Sequence, residues 1–416
     1  MTYQAALSEA RQPVTPNLAP GADYADDKRV FQGIPGIERT PAGRLWATWY
    51  SGGQGESSLN YIVLVTSGDD GATWSGPVLV IDPPGNVRAC DPNVWLDPRG
   101  RLWLFWMQAH TLHDGQWGVW AITTDEPDEP RPRWSEPRRL CDGVMLNKPT
   151  ILSSGEWLFP VAFPVSRMMG NEKRMLPLFL RRDLLGLMTE DELRAIDARH
   201  GAAVYVSTDQ GQTFAYRGRA VPEQDVASHN EHMIIERRDG SLWMLLRTKY
   251  GIGQSESRDG GATWSPVVES GLPHTTSRFF IRRLRSGNLL LVKHDAVAGP
   301  DGKPVYRRTN LTAQLSDDDG RTWRGRLCIE PRGCTYPDGT QGSDGTIYII
   351  YDHERRGAKQ MVMAAFTEQD ILAGGFHSPQ ARQAVLINQA TGVITPADDW
   401  ARSKGKDEED LIFTGI

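Results

Sequence analysis

The chain has little cysteine, and its four thiols, Cys90, Cys141, Cys328 and Cys334, fall at no metal-ligand spacing. They read as reduced, packed thiols of a cytoplasmic protein. No apolar run approaches the ~18 residues of a membrane-crossing helix. The opening stretch, MTYQAALSEARQPVTPN, lacks a basic segment followed by an apolar one, so no signal peptide is expected. Net charge is −6 over 416 residues, with no basic stripe of the kind that binds nucleic acid. The Gly-rich run SGGQGES is not followed by the Lys-Ser/Thr of a phosphate loop. No carboxylate or His cluster has metal spacing, so neither a metal nor a cofactor is expected.

What the chain does have is a repeat. Ser-x-Asp-x-Gly-x-Thr-Trp/Phe begins at Ser67, Ser207, Ser257 and Ser316, and a damaged copy lies at Thr123–Trp134. Repetition every ~50–60 residues means one supersecondary unit used many times. Asp followed two residues later by Gly makes a tight turn, with the carboxylate bonding local backbone and Gly free to take positive φ. The aromatic pins the turn to its sheet. Apolar, β-branched runs such as YIVLVT precede the copies, so each is a turn between two outer strands of a small antiparallel sheet. The phrase D/S-G-x-L-W-x-apolar, as in DGSLWMLL, marks a central hairpin. Counting these units gives six. The expected fold is all-β: a six-bladed β-propeller of four-stranded antiparallel sheets with a short helical insertion.

Residues 1–27 read as a leader that packs on the surface or closes the ring, residues 28–395 as the propeller, and residues 396–416 as a charged tail. An insertion at about 165–200 separates the second and third repeats. In it MTEDELRAIDARHG reads as a helix capped by Thr189 and Glu192. Its place between blade strands makes it a candidate lid.

The four turns are Asp-boxes, and the chain resembles the sialidase (neuraminidase) superfamily over roughly residues 28–395. Boxes brace a fold and do no chemistry, so function rests on other residues. In that family a Tyr is the nucleophile, a Glu activates it, an Asp is the acid/base, and three Arg bind the substrate carboxylate. CTYPDGTQGSDGTIYIIYDHE resembles the nucleophile segment, with Tyr336 at the Tyr position. HNEHMIIERRDGSLWMLLRT is similar to the Glu–Arg segment, which implies Glu231 as the base and Arg247 as the second Arg. RRTNLTAQLSDDDGRTW resembles the third-Arg segment. Arg308 is the best match there, and Arg307 is its rival. Glu56 occupies the place of the acid/base Asp. The resemblance thus implies a carbohydrate substrate and an exo-acting glycosidase for a terminal, acidic, sialic-acid-like sugar. Two alternatives stay open. One is a hydrolase or lyase for another acidic or deoxy sugar, with His229 or His232 moving protons. The other is a sugar-binding propeller without catalysis.

The chemistry fits a tyrosine nucleophile. A phenol with a pKa near 10 needs a carboxylate to take its proton and cations to favour phenolate. Tyr also suits a substrate that is anionic near the reacting carbon, where a carboxylate nucleophile would be repelled. Tyr336 and Glu231 are therefore expected within hydrogen-bond reach. One departure stands out. The family's first Arg belongs to an Arg-Ile-Pro motif, and this chain reads Gly33-Ile34-Pro35. Either Arg88, Lys148 or Arg278 restores the lost charge from another blade, or the substrate lacks a carboxylate at the anomeric carbon. Other polar residues cluster at inner strand ends, and about half of them are expected to line the pocket: Asp91, Asn147, Lys148, His229, Asn230, Ser277, Arg278, Asp352 and His353.

Overall fold

A computed structural model describes residues 2–53, 55–110, 114–163 and 189–393. Six four-stranded antiparallel sheets form the expected propeller. Blade 1 is Gln32–Arg39, Leu45–Ser51, Tyr61–Ser67 and Leu79–Ile81, from the axis outwards. The innermost strands of blades 2 to 6 are Val87–Leu96, Thr150–Ile151, Ala227–Glu236, Phe280–Arg283 and Cys334–Gln341. Each blade is sandwiched between two neighbours, so its middle strands are covered on both faces. That is why Leu102–His110 (LWLFWMQAH) is buried along its whole length rather than on alternate residues. Trp95 and Trp157 meet edge to face at 5.0 Å across the seam between blades 2 and 3.

The boxes do more than turn the chain. Ser67 Oγ donates to Asp69 Oδ1 (2.8 Å), Gly71 N–H donates to Ser67 Oγ (2.9 Å), and Thr73 N–H donates to Asp69 Oδ1 (2.9 Å). The same bonds recur at Ser207, Ser257 and Ser316. The residue before each box Gly also has positive φ. In three boxes (Asp70, Gln210 and Asp319) its side chain reaches back to the preceding blade, while in the box at Ser257 it is Gly260, whose carbonyl accepts from Arg217 of blade 3 (3.1 Å). Asp70 accepts from Tyr348 and Arg382 of blade 6, and Asp319 accepts from Arg283 and from the backbone of Arg238 in blade 4. A Cβ on Gly320 would strike Trp243 of blade 4, and one on Gly211 would strike Trp103 of blade 2. The boxes are therefore turns and inter-blade clamps together.

Blade 6 lacks a box. A helix, Glu368–Ala373, takes its place, with a capping box from Thr367 and Asp370 that the sequence reading missed. The expected helix of the insertion is present as Glu190–Asp197, capped by Thr189 and Glu192. Most of the insertion and the charged tail lie outside the described residues, so the lid reading falls there as well. The N-terminal residues pack against the ring. Tyr3–Ala10 is a helix whose buried face, Tyr3, Ala6, Leu7 and Ala10, packs on blade 2, where the Tyr3 hydroxyl donates to the Asp114 carbonyl (2.8 Å). Further on, buried Arg29 ties blade 1 to Asn388 on the outermost strand of blade 6.

Candidate active site

Antiparallel strand order puts the starts of all inner strands at one end of the ring, together with the connections between second and third strands. The boxes lie at the other end. At the first end four inner strands break register: blade 1 between Gly33 and Gly36, blade 2 between Cys90 and Asn93, blade 4 between Ala227 and Met233, and blade 6 between Thr335 and Asp338. The residues at the breaks have positive φ: Ile34, Asp91, Asn230, Glu231 and Tyr336. In three of the blades a Pro follows at once, and its missing N–H removes a ladder bond. Such bulges re-aim a side chain, and each costs ~1–3 kcal/mol of backbone strain. Asp91-Pro92 and Tyr336-Pro337 are thus the same device in different blades.

The bulges bring Tyr336 and Glu231 together on the axis. The Tyr336 hydroxyl donates to Glu231 Oε1 (3.2 Å). Arg247 Nη1, from the adjacent strand of blade 4, donates to both Glu231 Oε1 (2.9 Å) and Tyr336 Oη (3.2 Å). All three side chains are buried. Burial, reinforced by the Glu231 charge, pushes the Tyr336 hydroxyl up to about 12 against the pull of Arg247, Arg355 and Arg308. Burial also raises the Glu231 carboxyl, but Arg247 and His229 outweigh it and the net shift is downwards. The resting state is therefore a neutral phenol bonded to a carboxylate. That carboxylate's second oxygen, Oε2, has no hydrogen-bond partner among the described residues.

Around this core, Arg308 sits on the blade 5 connection and donates to the Thr276 carbonyl (3.1 Å). Arg307 is exposed instead. Glu56, on the blade 1 connection, lies 3.6 Å from Arg355 Nη1. Arg308, Glu56 and Arg355 line an open cavity of about 570 Å³. On the other side Asp91, His229 and Glu231 line a smaller cavity of about 50 Å³ walled by Met107, Leu146 and Pro160. Burial pushes Asp91 up to about 7; Arg88 opposes this, and Glu56 and Glu231 add to it. His229 opens to solvent, whereas Asn230 is buried with both amide atoms unpartnered among the described residues. His232 is turned away, its ring bonded to the Ala203 carbonyl (2.8 Å).

Two expected pocket residues lie elsewhere. Lys148 and Arg278 belong to a buried hub reached two to four residues further along the inner strands. Lys148 Nζ bonds the carbonyls of Ile37 and Gly339 and pairs with Glu38 (3.2 Å) and Asp338 (3.4 Å). Arg278 donates to Asn147 Oδ1 (2.7 Å), the Leu146 carbonyl (3.0 Å) and Asp338 Oδ1 (3.2 Å). Their charges are fully used in joining blades. Arg88 does lie near Asp91 and Glu56, buried, with Nε and Nη1 unpartnered among the described residues.

The cation at Gly33 is one the sequence reading missed. Arg355, on the blade 6 connection, lays its stem where a side chain at position 33 would begin, and its Cζ lies 4.9 Å from the centroid of the Tyr336 ring. Asp352, expected in the pocket, is buried beside it, accepting from the Ile34 N–H (3.1 Å) and facing Arg355 Nε at 3.7 Å. The available signal was a run of two arginines, Arg355-Arg356, after YDHE, in the blade adjoining a glycine where the related motif has Arg.

Known proteins agree with this architecture. A curated sialidase of Micromonospora viridifaciens is 27% identical over 173 residues, 38% of this chain and 25% of the relative, so the chain matches only about a quarter of that protein. Among solved structures, the Hadza microbial sialidase Hz136 superposes with a TM-score of 0.60 at 19% identity, over 84% of this chain and 68% of that one. A leech intramolecular trans-sialidase bound to 2,7-anhydro-Neu5Ac gives 0.61 at 14% identity, over 87% and 71%. A protein of unknown function from Dyadobacter fermentans gives 0.59 at 15%, over 83% and 95%. A BNR repeat-like domain matches residues 43–349, most of the ring. The chain therefore belongs to the BNR repeat-like domain family, and its propeller has the sialidase-like fold.

Proposed function

We propose that the protein is an exo-acting glycosidase that releases a terminal acidic sugar with retention, using Tyr336 as nucleophile. One observation carries this reading: a buried phenol bonded to a carboxylate, with one arginine nitrogen bridging both oxygens, at the centre of the ring. A lectin has no use for such a triad. Tyr336 Oη attacks the anomeric carbon as its proton passes to Glu231. We assign Glu56 to protonate the departing glycosidic oxygen. Glu56 then takes a proton from water, the water oxygen bonds the anomeric carbon, and the Tyr336–carbon bond breaks as Glu231 returns the proton. Arg247 stabilises the phenolate character that develops on Tyr336. Asp91, neutral below about pH 7, donates a hydrogen bond to a sugar hydroxyl.

The test is a panel of chromogenic glycosides of N-acetylneuraminic acid, glucuronic acid, rhamnose and fucose. Release of an acidic sugar, with the α or β configuration kept in the first-formed product, is expected. Turnover of neutral sugars alone would refute the acidic substrate. Sugar binding without turnover, unaffected by Tyr336→Phe, would make the protein a lectin.

A further inference from the structure

We propose that Arg355 supplies the anion-binding guanidinium that Gly33 lacks, so that Arg247, Arg308 and Arg355, from blades 4, 5 and 6, together hold a carboxylate attached to the reacting carbon. The inference rests on the glycosidase reading and narrows its substrate to a 2-ulosonic acid, a sugar bearing its carboxylate on the anomeric carbon.

The first argument is steric. A Cβ on Gly33 would overlap Arg355 Cδ and lie 2.9 Å from its Cγ and 3.3 Å from Asp352 Oδ2. Gly33 has no positive φ that would demand glycine, so the reason for glycine here is space. A side chain at 33 and the present course of Arg355 exclude each other. The glycine is the condition for an arginine to enter from the neighbouring blade.

The second argument is the state of the guanidinium. Arg278 in the hub has all three nitrogens hydrogen-bonded. Arg355 has only long ion pairs, 3.6 Å to Glu56 and 3.7 Å to Asp352, and its buried Nη1 has no hydrogen bond among the described residues. Arg308 makes one bond, to a carbonyl. Both line the 570 Å³ cavity, and the nearby positive charges of Arg247 and Arg355 help burial lower the Arg308 pKa. Like charges held close, with donors to spare and facing an open cavity, call for an anion between them.

The third argument fixes where that anion sits. Arg247 already bonds the nucleophilic oxygen, and Arg355 lies over the same ring. A carboxylate shared by these groups is adjacent to the carbon that Tyr336 attacks. In a uronic acid the carboxylate is separated from the anomeric carbon by the ring oxygen and a further carbon.

The test uses the full chain and four variants of it. Calorimetric binding of N-acetylneuraminate is compared with binding of its methyl ester, and kcat/KM is measured on the N-acetylneuraminic acid reporter. Arg355→Met keeps an apolar stem beside Gly33 and removes the charge. It should cost about 10- to 100-fold in affinity for the acid and leave the ester unchanged, the scale of one charged hydrogen-bonding partner. Arg355→Lys should recover part of the preference for the acid. Gly33→Arg alone should fail, through collision with Arg355. Gly33→Arg/Arg355→Gly should regain preference for the acid, because either position can then deliver the charge. If Arg355→Met, folded by its thermal midpoint, keeps the wild-type acid-to-ester ratio, Arg355 is only a counterion for Asp352 and Glu56 and the proposal is wrong. Wild type that binds the acid over the ester without turnover would overturn the glycosidase reading alone, and the ratio would still decide on Arg355. Wild type with no preference for the acid overturns both.

Discussion

Two buried polar clusters lie on the axis of this ring, a few residues apart along the same strands. The hub unites Glu38, Lys148, Arg278 and Asp338, two charges of each sign. Every charged atom in it has a partner; Glu38, for example, accepts from Thr340, the Arg39 N–H (3.0 Å) and the Leu96 N–H (3.2 Å). The pocket floor unites Tyr336, Glu231, Arg247, Arg355, Asp91 and Arg88. There Glu231 Oε2, Arg355 Nη1 and two Arg88 nitrogens are unpartnered among the described residues. Backbone strain divides in the same way, since Ile34, Asp91, Glu231 and Tyr336 carry positive φ and the four charged hub residues do not. Burial and charge alone therefore do not mark a functional site. What marks it is hydrogen-bonding capacity left over, held on a strained backbone.

The contrast is tested most sharply at the pocket. Tyr336→Phe should leave the fold intact and lower turnover by at least ~10²–10⁴, the scale for a positioned nucleophile or proton acceptor. Glu231→Gln should cost a similar amount, and the double variant little more, because both groups serve one event. Full activity in Tyr336→Phe on the identified substrate would end the tyrosine mechanism. The hub should respond in the opposite way. Lys148→Met leaves Glu38 buried without its cation, a change on the scale of ~3–5 kcal/mol. Denaturant titration should show that loss, with turnover per folded molecule unchanged. A stable but inactive Lys148→Met would mean that the two clusters are one functional unit.

Asp91 provides a smaller, pH-dependent difference. Its folded pKa of about 7 lies above the ordinary value of 3.8, because burial disfavours the charge. The folded chain keeps a proton between these values that the unfolded chain releases. This contribution to stability is complete below about pH 4 and is lost as pH rises through about 7. Thermal midpoints of Asp91→Asn should consequently decline less between pH 4 and 7 than those of wild type; parallel curves would refute the shift. The smallest effect is expected at the rim. Asp318→Ala removes the carboxylate that holds Ser316 and Thr322. It should lower the thermal midpoint modestly and leave turnover per folded molecule alone, since the boxes lie at the end of the ring away from Tyr336.

Much of this was legible because it is local. Asp-box spacing identified the blades, and the capping pair Thr189 and Glu192 identified the insertion helix. The nucleophile and Glu–Arg segments singled out Tyr336, Glu231 and Arg247, which the structure brings into mutual contact. Lys148 and Arg278 were misplaced because a polar residue on an inner strand suits the pocket and the hub equally well. Sequence gives position along a strand, but not which partners from other blades wait at that depth. The helix at Glu368–Ala373 was missed because the first five blades lead one to expect a box or its remnant there.

Arg355 marks the boundary between the two kinds of information. By itself the sequence determined the repeat, the number of blades, the bulge-forming X-Pro steps and the absence of an arginine at position 33. Those features follow from residues close together in the chain. That Arg355 fills the space left by Gly33 was decided only by closure of the ring. Closure sets the last blade against the first and brings two positions 322 residues apart into van der Waals contact.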